Sequence, residues 1–338
     1  MKNIIYIPFK SLFVDRTITF DILFFSILLL AIPVILITGP ALPDIFLSVI
    51  AFYFLIKSII QKLWNYFSNP IVIGFLLFST YGIIISLFSE MPLVSLSNEG
   101  SIFYFRYIFF SMGVWYLLDN NPHLPKCLLN VIFICLSIVI IDGLYQYFFE
   151  FNLFGNQKYN SLRLTGLFGN EPIIGRYIAY ISLLTFVLIF QNYKITKKMM
   201  LISISFLVLC VVMVFLTGER TAFFYVILFT LLLITFFPNY RIYRIVCILA
   251  IISLILGIFI VNPNAKIRMI DMTINQISKT KIPLLPYTSS HEPIYESALK
   301  MFYDKPIFGV GTNTFRFKCN KQNYFVKNGC GTHPHNYY

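Results

Sequence analysis

Met199-Met-Leu-Ile-Ser-Ile-Ser-Phe-Leu-Val-Leu-Cys-Val-Val-Met-Val-Phe-Leu-Thr217 carries no charge and only a few small hydroxyls. It is apolar along its whole length, without the in-out alternation of a barrel strand. About 20 such residues cross the roughly 30 Å hydrocarbon core of a bilayer as a helix. In lipid, only a helix or a closed barrel satisfies every backbone polar group, so this stretch predicts a transmembrane helix. Gly218-Glu219-Arg220 follows at once, and a second apolar run begins at residue 221. Two spans joined by a tight, charged turn are the local pattern from which the rest of the chain is read.

Runs of the same kind recur in both directions. Hydropathy places nine candidate spans near residues 20–38, 42–60, 70–89, 101–118, 127–149, 171–191, 199–217, 221–238 and 243–262. The composition agrees: 58% of the 338 residues are hydrophobic and only 12% charged, with a mean hydropathy of +0.78. A soluble domain has roughly 25% charged residues. The expectation is an all-α, polytopic transmembrane bundle. Its 1–262 part holds about nine helices, and a large, partly helical periplasmic loop covers 263–338. No small-residue cleavage site follows the first apolar stretch, so that stretch reads as a retained span.

The net charge of +12 does not indicate nucleic acid, because Lys and Arg sit at segment ends and no nucleic-acid module is present. It indicates topology. Lys2, Lys10 and Arg16 precede the first span, and Lys57 and Lys62 follow the second. Lys126 lies between the fourth and fifth, Lys194, Lys197 and Lys198 between the sixth and seventh, and Arg241 and Arg244 between the eighth and ninth. All fall on one side, which the positive-inside rule makes cytoplasmic. The other side has short, charge-poor or acidic links (39–43 and 90–99), so Arg163, Arg176 and Arg220 stand out there.

The same alternation puts 263–338 outside the cytoplasm. Within it, Ile267, Ile270, Ile274 and Ile277 form a helical stripe, which suggests an amphipathic helix at the membrane surface. Ser289 and Glu292 have capping-box spacing before a helix expected over 293–303, which Pro306, Gly309 and Gly311 then break. Cys127, Cys135, Cys210 and Cys247 read as packing residues at or within spans. Cys319 and Cys330 lie in the outer loop, where a disulfide is permitted but not required.

Four arginines and two histidines hold the chemistry. Arg163 precedes the sixth span; its planar fork of donors suits phosphate, and an interfacial snorkelling residue is the alternative. Arg220 sits at the membrane edge, where a charge needs a partner or a function. Glu219 is one candidate partner, and an anion clamp is the other reading. Arg176, one turn into the sixth span, either reaches the interface or lines a cavity. Arg106 in the fourth span has Asp142 in the fifth as a possible partner. An imidazole titrates near neutral pH, so His335 suits a general base; His333 could be the base, an orienting group, or neither. The pair could also ligate metal, but no carboxylate or cysteine pair completes a zinc pattern.

Three stretches, in order, resemble the O-antigen ligase and O-antigen polymerase superfamily over about residues 70–338. They are Arg163-Leu-Thr-Gly-Leu-Phe-Gly-Asn-Glu-Pro172, Thr217-Gly-Glu-Arg-Thr-Ala222, and the outer loop with Tyr303-Asp-Lys-Pro-Ile-Phe-Gly-Val-Gly311 and His333-Pro-His-Asn-Tyr-Tyr338. Glu219 stands where Ser is commoner, and Asn170-Glu171-Pro172 where Asn-Pro-Asn is. Further helices are expected beyond Tyr338. The resemblance implies an undecaprenyl-pyrophosphate-linked glycan donor and transfer to an acceptor hydroxyl at the periplasmic face of the bacterial inner membrane, without cofactor or metal. The acceptor would be lipid A–core for a ligase, or a second lipid-linked glycan for a polymerase. Arg163, Arg220 and Arg176 would bind the pyrophosphate, and His335, with Arg220, would act in catalysis, inverting the anomeric carbon. From another class, a transporter or flippase for an anionic solute would use Arg106, Asp142 and the Gly/Pro interruptions as a polar path.

Overall fold

A computed structural model describes residues 18–97, 101–160, 162–194, 196–236, 241–278 and 291–333. Helix accounts for 75% of the structure, and the described residues contain no strand, so the chain is an all-α polytopic bundle. The nine apolar runs form α1 (Phe20–Ile35), α2 (Ala41–Ile60), α3 (Pro70–Leu87), α4 (Phe105–Asn120), α5 (Leu124–Phe149), α6 (Ile174–Asn192), α7 (Lys197–Leu216), α8 (Arg220–Phe236) and α9 (Arg241–Val261). Among the described residues, seven segments are long and apolar enough to cross a membrane; α1 and α8 are shorter apolar helices.

Helix ends follow local chemistry. Pro70 opens α3 at a position that needs no backbone N–H, with the Asn69 side chain accepting from the Ile71 N–H at 2.9 Å. Thr196 caps α7 in the same way, accepting from Met199. The short helix Pro263–Lys266 is capped by Asn262, whose side chain also donates to the Tyr147 hydroxyl at 2.7 Å.

The chain forms two compact units, Met1–Phe46 with Leu117–Met272, and Leu47–Tyr116 with Thr273–Tyr338. In the first, α5, α6 and α7 make the interior. About half of each of these spans is buried, against 11% of the span in α9, which leaves most of that helix's apolar surface facing outward. α6 packs against α5, α7 and α8, and α9 packs on α7. α1 lies on α5, and the Tyr177 hydroxyl of α6 donates to the Pro33 carbonyl in its last turn, a group with no intrahelical partner.

In the second unit, α4 closes on α2 at Gly113, where an added Cβ would meet Ile50 and Phe54 at 3.1–3.2 Å. The C-terminal segment forms a helix, α10 (Glu292–Asp304), beginning one residue earlier than expected. Ser289 and Ser290 of the expected capping box lie outside the described residues. α10 packs Ala298 and Met301 against Phe315, Cys319 and Tyr324. Cys319 and Cys330 are joined, with Cα atoms 5.2 Å apart. This segment docks on the end of α3 through hydroxyls and charge. Thr312 bonds Ser86 and Ser95, each at 3.1 Å, and Ser101 donates to Ser86 at 2.7 Å. Glu90 gathers Lys305, Lys318 and Lys321 at 2.6, 3.2 and 3.1 Å. Those three ammonium groups hold its carboxyl well below the usual range, at about 2.

Candidate active site

Five helix ends meet at one end of the first unit: the last turns of α5, α7 and α9 and the first turns of α6 and α8. The α5–α6 link, residues 150–173, is built on buried polar side chains of α5. Gln146 accepts the N–H groups of Thr165 and Gly166 at 2.9 and 2.8 Å and donates to the Asn156 carbonyl at 3.2 Å. Asp142 accepts the Leu153 N–H at 3.0 Å. Asn152, within the link, donates to the Gly166 carbonyl and accepts from Phe154 and Asn156. All three side chains are buried, where unmade hydrogen bonds cost most, so the link has one well-determined path. That path carries Arg163.

The α7–α8 turn locks against it. Gly218 has φ +71, and a Cβ there would lie 2.2 Å from the Leu162 carbonyl oxygen, so the turn tolerates no side chain at this position. Leu164 donates its N–H to the Thr217 carbonyl at 3.3 Å. Glu219 is 4% exposed and turns toward the start of α6. It accepts the Gly175 N–H at 2.6 Å and the Arg176 Nε–H at 3.2 Å. A carboxylate thus caps the positive end of α6 from another element. Burial pushes its pKa up, while Gly175, Arg176 and Arg163 pull it back.

A cavity of about 390 Å³ opens beside this turn. Arg163, Lys158 and Arg268 stand on its wall with apolar Phe148, Phe215 and Val261. Arg163 donates from Nη2 to the Pro172 carbonyl at 3.0 Å and sits 5.9 Å from the Tyr159 ring centre, while its Nε is buried without a hydrogen-bond partner. Lys158 is neutralised by Glu150 at 2.7 Å. Arg268 donates from Nε to the Gly218 carbonyl at 3.1 Å. Burial, then the guanidinium groups of Arg220 and Arg163, lower its hold on its proton, which places three arginines within electrostatic reach of one another.

Arg163 and Arg220 therefore come together, and Arg176 joins them through Glu219. The Glu219 carboxylate reaches α6, where proximity in sequence had suggested its neighbour Arg220. Arg106 donates to Ser48 and Tyr107 within its own unit, at 3.4 and 3.1 Å. His333 is in the second unit, its Nδ1 2.9 Å from the Thr332 hydroxyl. His335 lies outside the described residues. Sequence reading missed Arg268, Gln146 and Asn152. For Gln146 a signal existed, since a polar group inside a membrane helix is costly unless it is used. For Arg268 the signal was a lone cation within the isoleucine stripe.

The class these features define is a multi-pass helical membrane protein with a cationic cavity at the ends of its helices. Residues 205–338 match the family model described as O-antigen ligase, which supports membership of the O-antigen ligase superfamily. That family is one of glycosyltransferase-type enzymes, with lipid-linked glycan substrates in general. The match includes Arg220 and Arg268, and Arg163 precedes it. No curated protein and no solved structure matches the chain.

Proposed function

We propose that the chain transfers a glycan from an undecaprenyl-pyrophosphate donor to a hydroxyl of lipid A–core, at the periplasmic face of the inner membrane. The observation that carries this reading is Arg163 on the wall of a cavity with both cationic and apolar sides, with Arg220 within electrostatic reach of it. Displacement breaks the bond between the anomeric carbon and the diphosphate oxygen. The acceptor oxygen forms the new bond from the opposite face, inverting that carbon. Negative charge grows on the leaving diphosphate, where fixed guanidinium donors stabilise it more in the transition state than in the ground state. His335 takes the acceptor proton, since a sugar hydroxyl is a weak nucleophile at neutral pH. Arg176 holds Glu219, and through it the turn that carries Arg220. No metal is required for these steps. The positive-inside pattern supports the periplasmic placement of 263–338.

The test is glycan transfer in membranes by Arg220→Ala and His335→Ala at matched expression. Each is expected to lose about a hundredfold or more in rate, the scale of removing one transition-state charge donor or a general base. Wild-type rates in both would sink the assignment. Mass analysis of the product identifies the acceptor: capped lipid A–core for this reading, lengthened lipid-linked chains for a polymerase.

A further inference from the structure

We infer that the bundle binds an anionic phospholipid of the cytoplasmic leaflet, with an acyl chain in a groove at the end away from the α7–α8 turn and the phosphate against Arg244. The inference goes beyond the transferase reading and uses none of the residues placed in transfer. The groove lies among α6, α7, α8 and α9 and holds about 420 Å³ of empty space, its open mouth included. Phe186 and Phe190 of α6 and Met200 and Leu207 of α7 give it an apolar lining, with Tyr243 and Arg244 from the first turn of α9. The Phe186 ring packs on Phe190 and Phe229, with centres 6.5 and 6.1 Å away, so the floor is continuous with the protein core. Little of α9 is buried, so the groove stands beside helix surface that faces lipid. Water in such a space needs several polar partners, and the four apolar side chains offer none. A hydrocarbon chain needs no such partner.

Charge selects the headgroup. Arg244 falls inside the apolar segment Ile242–Val261, and its Nε is buried. One turn from the helix start, its guanidinium lies near the depth of the lipid phosphates, and its planar fork of donors suits their oxygens. The four walls bring no carboxylate to this end. Between Pro172 and Ile270 the sequence has one acidic residue, Glu219, and it sits at the other end, in the α7–α8 turn. Basic residues collect here instead. Lys194, Lys197 and Lys198 are exposed in the α6–α7 link and the first turn of α7, and Arg241 opens α9. The positive-inside rule puts this end at the cytoplasmic leaflet, whose anionic lipids are bound by basic pockets between helices. Cation and apolar slot share one wall, so a single molecule with both a phosphate and a tail satisfies both.

The experiment places the full chain in nanodiscs of equal parts phosphatidylglycerol and phosphatidylcholine, and native mass spectrometry counts the lipids retained. Wild type is expected to retain phosphatidylglycerol about tenfold or more over phosphatidylcholine, the worth of one charge-assisted hydrogen bond. Arg244→Gln should lose most of that preference, and Lys197→Gln, on the exposed start of α7, about fivefold or less. Ile204→Trp, which fills the groove, should lower retention of phosphatidylglycerol. A readout on wild type alone does not depend on variant folding: phosphatidylglycerol with a photoactivatable tail should label peptides that carry Phe190, Ile204 or Cys247, and unlabelled phosphatidylglycerol should suppress the labelling. Equal retention of the two lipids by wild type, or labelling confined to other peptides, overturns the inference. So does equal loss of preference in Lys197→Gln and Arg244→Gln, which would mean diffuse surface charge. Suppression of the labelling by soluble glycerol phosphate as effectively as by the lipid would make the site one for free phosphate and overturn the lipid assignment.

Discussion

Glu90→Gln is expected to loosen the C-terminal segment of the second unit. Glu90 holds Lys305, Lys318 and Lys321, and its carboxyl is held at about 2 against an ordinary value of 4.5. At 1.36 kcal/mol per tenfold, that difference corresponds to about 3.4 kcal/mol as an upper bound. The side chain is 42% exposed, so solvent screening reduces the attraction to about 1 kcal/mol. Lys318 adds to this. It is fully buried, and beyond Glu90 its ammonium donates to the Val310 carbonyl at 3.1 Å. Removing its counter-charge costs about 1–3 kcal/mol more, below the full penalty of a broken buried pair because Lys318 can give up its proton. The sum, about 2–4 kcal/mol, corresponds to amide exchange faster by about 30- to 1000-fold across 305–321 if that segment opens as a local unit. Hydrogen exchange with mass spectrometry measures it. The pH dependence has a definite sign. A lowered carboxyl pKa gives stability that is present above about 4.5 and lost as pH falls toward about 2, so wild type, corrected for intrinsic exchange, should lose protection over that window and the variant should not. Adding Lys318→Met to Glu90→Gln should recover part of the loss, because the buried charge is then gone. Exchange within threefold of wild type would refute the reasoning.

Two further outcomes follow from local geometry. Gly218→Ala puts a Cβ 2.2 Å from the Leu162 carbonyl and a side chain at φ +71, so it should lower stability by at least about 2 kcal/mol and abolish transfer, measured by thermal unfolding in detergent and by the membrane assay. An unchanged midpoint with full activity would contradict the packing. Replacing Cys319 and Cys330 with Ser should remove about 3 kcal/mol of loop-closure stabilisation for a separation of 11 residues, seen as faster tryptic cleavage at Lys321 and Lys327. Equal cleavage rates would count against it.

The spans were legible because hydropathy over 18 or more residues is redundant; no single substitution hides it. Their ends were less so. Residue 171 was expected inside the sixth span, but Glu171 and Pro172 belong to the link and α6 starts at Ile174. Leu124 opens α5 before the expected residue 127, since Pro125 is tolerated in a first turn. Arg163 and Arg220 were legible because a charge at the membrane edge is conspicuous. The destination of Glu219 was not, because adjacent residues at a helix start point in different directions. Arg268 depends on a π-helical turn, Ile267–Asp271, which has no sequence signature of its own. The residue chosen as base, His335, rests on its motif alone.

Gln146 gives the candidate site an unusual division of labour. The cation Arg163 lies in a link between helices, yet the amide that fixes its backbone belongs to a transmembrane helix, with Asp142 one turn away on the same face. The exposed side chains at the tip of the link, Leu153 and Phe154, are therefore open to substitution without displacing the arginine, because only their backbone N–H groups are anchored. Tolerance and constraint are inverted relative to their usual places: side chains of the link can vary, whereas a single apolar substitution of Gln146, within an apolar helix, would misplace the cation.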